Sequence, residues 1–249
     1  MKERESRVGG LRLAAEFAVI VIGVLVALGV DSWAADRRDR ALESEYLDRL
    51  LEDVRYDLDE LAFVASTSRL GAEAAQILNT PGVADTMPAN EVVAALFVLT
   101  AVRVPDLSRS TFDELINSGQ IELIQAQEVR RALASYDRTN NELASAWNTF
   151  DPDLWRWVSS RIPSSIYGRF QAECSVPATE GVNMLSTICP FDMGGWSARS
   201  LRADLGSVDA EQRLRRSEYN YGAHVFFASL LTEEARRLEA ALVSVIQDR

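Results

Sequence analysis

From Phe17 to Val30 every residue is apolar or glycine, and the wider segment Leu11 to Trp33 has 23 residues. A helix that crosses the hydrocarbon core of a bilayer needs about 20. No proline follows until Pro81. The pattern therefore predicts one helix from about Leu11 to Leu78, roughly 100 Å long at 1.5 Å per residue. Its first third would lie in a membrane and the remainder would stand outside it as a stalk.

Lys2, Arg4, Arg7 and Arg12 precede the apolar run, and the small residues flanking Trp33 resemble a signal-peptidase site. A cleaved secretory signal would look similar. Trp33 fits an interfacial aromatic anchor, and the expectation is a retained single-pass helix. Arginines flank both ends, so positive charge barely discriminates orientation.

Cys174 and Cys189 are the only cysteines and bracket a stretch rich in Pro, Gly and Ser. Without nearby histidine they make a poor zinc pair, and their spacing is not C-x-x-C. A disulfide is expected, worth about 3 kcal/mol by loop closure. Disulfides persist in oxidising compartments. The expected topology is therefore a bacterial inner-membrane protein with residues 1–10 cytoplasmic, 11–33 transmembrane and 34–249 periplasmic.

Two acidic residues border the span. Glu16 can pair with Arg12 at i,i+4, and Asp31 can reach water at the opposite boundary. Gly23 and Ala27 form a small-xxx-small pair that allows close approach of another helix. Glu16, Gly23, Ala27, Asp31 and Trp33 are thus the candidates for packing the membrane helix.

Beyond the span, Leu47, Leu51, Val54, Leu58, Leu61 and Ala65 recur at alternating steps of four and three, the seam of a bundle. Asp48, Glu52, Asp53, Arg55, Asp57, Asp59 and Glu60 fall beside them and are read as a solvated face, since no calcium-loop pattern is present. A loop is expected at Pro81, Gly82 and Pro88. Asn90 would cap a helix through Leu99, and Ser110 another that Gly119 stops. Gln120 to Ile124 reads as a short apolar turn or extended piece.

From Gln127 a second seam runs through Val129, Leu133, Tyr136, Asn140, Leu143, Trp147, Phe150, Leu154 and Trp157. A kink or tight restart is expected at Asp151-Pro152, with Trp147, Phe150, Trp155 and Trp157 as core. Residues 163–196 read as an irregular disulfide loop. Tyr167, Phe170, Phe191 and Trp196 in or beside it are the candidate partner surface. A capping box at Asp209 and Gln212 would open a last helix to about Gln247, with Tyr221, Ala228, Ala235 and Leu242 inward and His224, Leu231, Leu238 and Val245 beside them. The fold class is accordingly all-α, an elongated helical bundle continuous with a membrane helix.

Two sets of residues resemble a widespread bacterial family of single-pass membrane proteins without an established activity. The first is Glu16-Phe17, Val21 to Leu28, Asp31-Ser32-Trp33, then Tyr46-Leu47 and Leu50. The second is Thr111-Phe112-Asp113-Glu114-Leu115, Ser118-Gly119, Leu123-Ile124, Arg131 and Leu133. Asp31 departs from the pattern, where asparagine is more usual. The resemblance covers roughly the first 140 residues. It implies the topology and an all-helical external domain, and it carries no catalytic residue.

A net charge of −11 argues against a nucleic-acid partner, which needs clustered Lys and Arg. His224, the only histidine, lies on an inward stripe and reads as a core residue. No nucleophile elbow, phosphate cradle or metal set accompanies it, so no catalytic residue, metal or cofactor is expected. The function expected is a non-catalytic accessory subunit, contacting lipid and bracing a larger membrane complex, of which the reaction centre–light-harvesting type is one candidate. The alternative is a periplasmic ligand-binding or sensory bundle acting through a membrane partner.

Overall fold

In the computed structural model the chain is almost entirely helical. The described residues are 2–101, 103–147, 152–177, 183–185 and 189–249; the side chains of 2–16, 18, 19, 175–177 and 183–185 fall outside the description. Helix α1 runs unbroken over Lys2–Asn79. It ends where Pro81 removes a donor and Gly82 takes a positive φ of 77°. A single turn, α2 (Val83–Thr86), leads to α3 (Ala89–Thr100). After an extended connector come α4 (Ser110–Asn117), a 3-10 turn over Gln120–Leu123, and α5 (Gln127–Leu143). Then follow α6 (Pro152–Ser159), α7 (Ser164–Cys174), a two-stranded antiparallel ribbon of β1 (Ser175–Pro177) and β2 (Asn183–Leu185), α8 (Arg199–Leu205) and α9 (Val208–Gln247).

The scaffold is an antiparallel pair, α1 with α9. Glu43 meets Arg249, Arg55 meets Glu239, and Asn79 meets Glu218, so the two helices run past each other over nearly the whole of α9. On α1 the seam runs through the buried positions 43, 47, 50, 54, 57, 61, 64, 68, 71, 75 and 78, with Tyr46, Glu60 and Ala74 buried beside it; on α9 the buried positions are 210, 214, 217, 221, 224, 228, 231, 235, 238 and 242. Both alternate strictly in fours and threes, a 3.5-residue period that keeps the two seams in contact along their length.

Two apolar cores flank this pair. One joins Ala74–Leu78, all of α3 from Val92 to Leu99, parts of α6, α7 and α8, and the first half of α9. The other joins Tyr46–Val64 of α1 with α4, α5 and α9 from Ala228 to Leu242. Helix α3 is apolar on every side, which is stable only for a helix enclosed by others.

Several expectations are corrected. The α1 seam passes through Leu50, Asp57 and Val64, not through Leu51, Leu58 and Ala65, which are only half-buried. Asn90 lies inside α3, where its amide donates to the Phe191 carbonyl while Pro88 occupies the cap position. Ser110 is the first helical residue of α4, and Arg109 holds the cap position. Ser207, not Asp209, caps α9, its hydroxyl accepting from Ala210 N–H at 3.3 Å. Helix α5 stops at Leu143, before the expected break; Phe150 and Asp151 lie outside the described residues, and α6 restarts at Pro152. Trp147 and Trp157 are core residues but Trp155 is exposed. The region 163–196 is not irregular throughout, because it contains α7 and the ribbon.

Candidate functional site

The Cys174–Cys189 disulfide is formed, with Cα atoms 5.7 Å apart, and ties the end of α7 to the segment before Phe191. Of the four residues expected to offer a partner surface, two are core. Phe170 and Phe191 are buried against each other, with ring centroids 5.4 Å apart, and Phe170 also meets Phe97 at 5.1 Å. Large aromatic rings bury too much apolar area to stay outside when a core is beside them. Tyr167 packs edge-on to Phe97 and is partly exposed; Trp196 is half-buried at the rim of the same core.

The packing candidates on the apolar part of α1 lie outside the bundle. Gly23, Ala27, Asp31 and Trp33 are all exposed, and nothing stands within 4 Å of a Cβ built on Gly23. The side chain of Glu16 lies outside the described residues. Ile20, Ile22, Val24, Leu25, Val26, Leu28 and Val30 project on all sides with more than half of their surface open. Among the described residues no helix is long and apolar enough to cross a membrane.

The most constructed polar site was missed by pattern reading. It is a row of carboxylates on α1 that holds the connector 103–109, the start of α4 and the turn before α5. Glu43 accepts the Gln125 N–H at 2.7 Å and the Arg249 guanidinium at 2.8 Å. Asp53 accepts the Ser108 hydroxyl at 2.7 Å and, at 3.4 Å, the Thr111 N–H of the first turn of α4. A carboxylate at that end satisfies an orphan donor and complements the helix dipole. Asp57 accepts the Ser108 N–H at 2.6 Å and the Tyr136 hydroxyl at 2.7 Å. Glu60 takes a bidentate pair from Arg103 and the Asp106 N–H.

Asp57 is 1% exposed and Glu60 9%. The solvated-face reading therefore holds for Asp48, Glu52, Arg55 and Asp59, which are exposed, and fails for Asp57 and Glu60, with Asp53 half-buried between. The signal was present in the sequence: Asp57 occupies the four-three series 47, 50, 54, 57, 61, 64. The apolar Leu58 beside it drew the seam one residue aside.

The same joint explains the Thr111–Leu115 motif. Thr111 and Leu115 are buried, Asp113 pairs with Arg109, and Glu114 accepts from Arg49 at 2.6 Å and from the Tyr46 hydroxyl at 3.0 Å. The hydrogen bonds from Arg49 and then Tyr46 hold Glu114 below the usual carboxylate range. Gly119, at φ 71°, ends the motif.

Burial raises the Asp57 carboxyl to about 6, with the Asp53 and Glu60 charges adding to it; the bonds from Tyr136 and Ser108 act the other way. Burial, the Asp57 charge and its hydrogen bond raise the Tyr136 phenol. Beside them is a cavity of about 20 Å³ bordered by Asp53, Asp57, Arg109, Tyr136, Asp137 and Asn140. That is room for about one water and far below an organic-ligand site. Among the described residues no group of three or more His, Cys, Asp or Glu is placed to hold a metal ion.

His224 is a core residue at the α1–α9 seam, its ring 5.3 Å from Trp147 and 6.4 Å from Tyr221. Desolvation lowers its affinity for a proton, partly offset by a hydrogen bond with the Trp147 backbone. What this geometry does chemically is fasten backbone to α1 and hold one protonatable carboxyl. No protein-family model, curated protein or solved structure matches the chain.

Proposed function

We propose that the chain is a non-catalytic, membrane-anchored accessory subunit that fixes a rigid helical bundle beside a larger membrane complex. The observation that carries this reading is the apolar part of α1. It extends beyond the bundle with its side chains open on all sides, and a helix apolar all round needs apolar surroundings, lipid or protein. The described side chains cover only Phe17 and the stretch from Ile20 onward. With Leu11–Glu16, Ala18 and Val19 counted from the sequence, the segment reaches the length of a bilayer core.

The geometry beyond the span supports the same reading. Arg37 stacks over Trp33 at 5.8 Å, and Arg38 and Arg40 follow on the exposed collar. The ion pair of Glu43 with Arg249, beside Leu42 where α1 begins to pack against the core, comes ten residues after Trp33, about 15 Å along the helix. That spacing is what a bundle seated just outside a headgroup layer would need. Because α1 is one continuous helix and its seam with α9 is unbroken, anchor and bundle form a rigid unit suited to bracing. The disulfide favours an oxidising compartment for the bundle, and hence the periplasmic side. The exposed strip at Gly23 and Ala27 is the proposed contact with a neighbouring membrane helix of the complex.

The test is to express the full chain in a bacterial host, extract membranes with carbonate, and compare a variant lacking residues 1–33. Retention of the full chain and release of the truncated one is expected. A full chain that washes off with carbonate would refute the anchor, and a protein purified in mild detergent without any stoichiometric companion would refute the accessory role.

A further inference from the structure

The joint at Asp57 gathers more negative charge than it can neutralise. The groups facing Asp57 come from every element packed there. Asp53 and Glu60 lie on α1 itself, Glu60 in turn holding Arg103 and the Asp106 N–H; Ser108 and Arg109 lie on the connector, Arg109 in turn holding Asp113 of α4; and Tyr136, Asp137 and Asn140 are on α5. The α9 contribution to the cavity wall is the apolar Leu238. Both cations are committed elsewhere: Arg103 to Glu60 at 3.0 Å, and Arg109 to Asp137 at 2.6 Å and Asp113 at 3.3 Å. Asp53 and Asp57 share one small residue, Ser108, which gives its hydroxyl to the first and its N–H to the second. Two adjacent carboxylates, one of them fully enclosed, are thus held by neutral donors alone.

We propose that this joint is a proton-operated clasp, in which one proton taken up by the enclosed Asp57 carboxyl tightens the connector onto α1 and its release at neutral pH loosens it. The argument is one of linkage. When the connector lifts, Asp57 meets water and behaves as an ordinary aspartate. When it closes, the carboxyl is dehydrated beside Asp53 and Glu60, so closing favours the protonated form. Burial and the neighbouring charges place the Asp57 titration near 6, within reach of an environment outside the cytoplasm. The clasp also joins the two ends of the scaffold, because the connector links α3 of one core to α4 of the other.

The experiment is hydrogen exchange on the full chain in mild detergent, reading the segment that contains Ser108 and Thr111, corrected for intrinsic exchange. Protection there is expected to be about tenfold higher near pH 5 than near pH 7.5, from one carboxyl titrating near 6 when closed and near 4 when open. Asp57→Asn should abolish that difference while the far-ultraviolet helical signal is kept. Tyr136→Phe removes a donor to the ionised carboxylate, so the midpoint should move upward; this variant decides the matter if Asp57→Asn fails to fold. Equal protection at both pH values in the natural chain, a difference that survives Asp57→Asn, or a Tyr136→Phe midpoint that does not rise would each overturn the clasp.

Discussion

Gly71 sits on the α1 seam in the middle of a helix, where glycine costs about 1 kcal/mol relative to alanine. Helix propensity alone therefore says that Gly71→Ala should stabilise the protein. The structure reverses the sign. A Cβ at Gly71 would lie 2.5 Å from Cε1 and Cζ of Tyr221 and 2.6 Å from its Cδ1. Tyr221 is buried, and its hydroxyl donates to the Val98 and Leu99 carbonyls at the end of α3, at 3.3 and 3.1 Å. The ring has nowhere to retreat without moving α9 off α1 or giving up those carbonyls.

Overpacking of this kind costs about 1–3 kcal/mol, and a buried hydroxyl left without its acceptor costs about 1–3 more. Against a gain of about 1 from propensity, the net expectation is a loss of roughly 1–5 kcal/mol. Urea unfolding of the full chain in detergent, followed by helical circular dichroism, measures it. Pairing the substitution with Tyr221→Ala closes a double-mutant cycle. In that background Gly71→Ala should become neutral or stabilising. A Gly71→Ala protein more stable than the natural chain, or a cycle with no coupling, would refute the close packing of the Tyr221 ring on Gly71 as the reason for the loss.

Glu60→Gln leaves Arg103 without its bidentate partner and should cost about 2 kcal/mol in the same urea assay, whereas Glu52→Gln on the exposed face should fall within about 0.5. Replacing Cys174 and Cys189 by serine should lower stability by about 3 kcal/mol, measured by thermal melting with and without reductant; the reduced natural chain should match the variant. The pH dependence of global stability carries two opposite slopes. Asp57 has a folded value of about 6, above its unfolded one, so it destabilises the fold at pH 7 and is relieved as pH falls through 6. His224 has its folded value lowered by burial, so its contribution is present above the unfolded range and is lost as pH falls below it. The two act in opposite directions as pH falls from 7 to 5, and His224→Gln should make stability rise more on acidification over that interval than it does in the natural chain.

Much of the scaffold is decided by local chemistry. A chain without proline from its start to Pro81, carrying apolar residues at a 3.5-residue period, has little alternative to one long helix. The end of α9 at Gln247 and its inward stripe from Tyr221 to Leu242 follow from the same periodicity. These are properties of neighbours in sequence, and periodicity reads them directly. The disulfide follows instead from there being only two cysteines, set in and beside a turn-rich stretch.

Tertiary structure decided the rest, and charge was the reason. A pattern reader sends aspartate and glutamate to water, because an unpaired buried carboxylate is costly. Asp57 and Glu60 escape that rule because donors distant in sequence reach them: Tyr136 from α5, Ser108 and Arg103 from the connector. Phe170 and Phe191 could be called core rather than surface only once α3 and α7 lay together. The helix starts at Pro88, Arg109 and Ser207 likewise followed from where the connectors were held. What the residues alone determined is a long apolar helix running into a heptad stalk. What only the assembled fold decided is that one charged position on that stalk, Asp57, belongs to the seam, since its cost is met by partners that no local window contains.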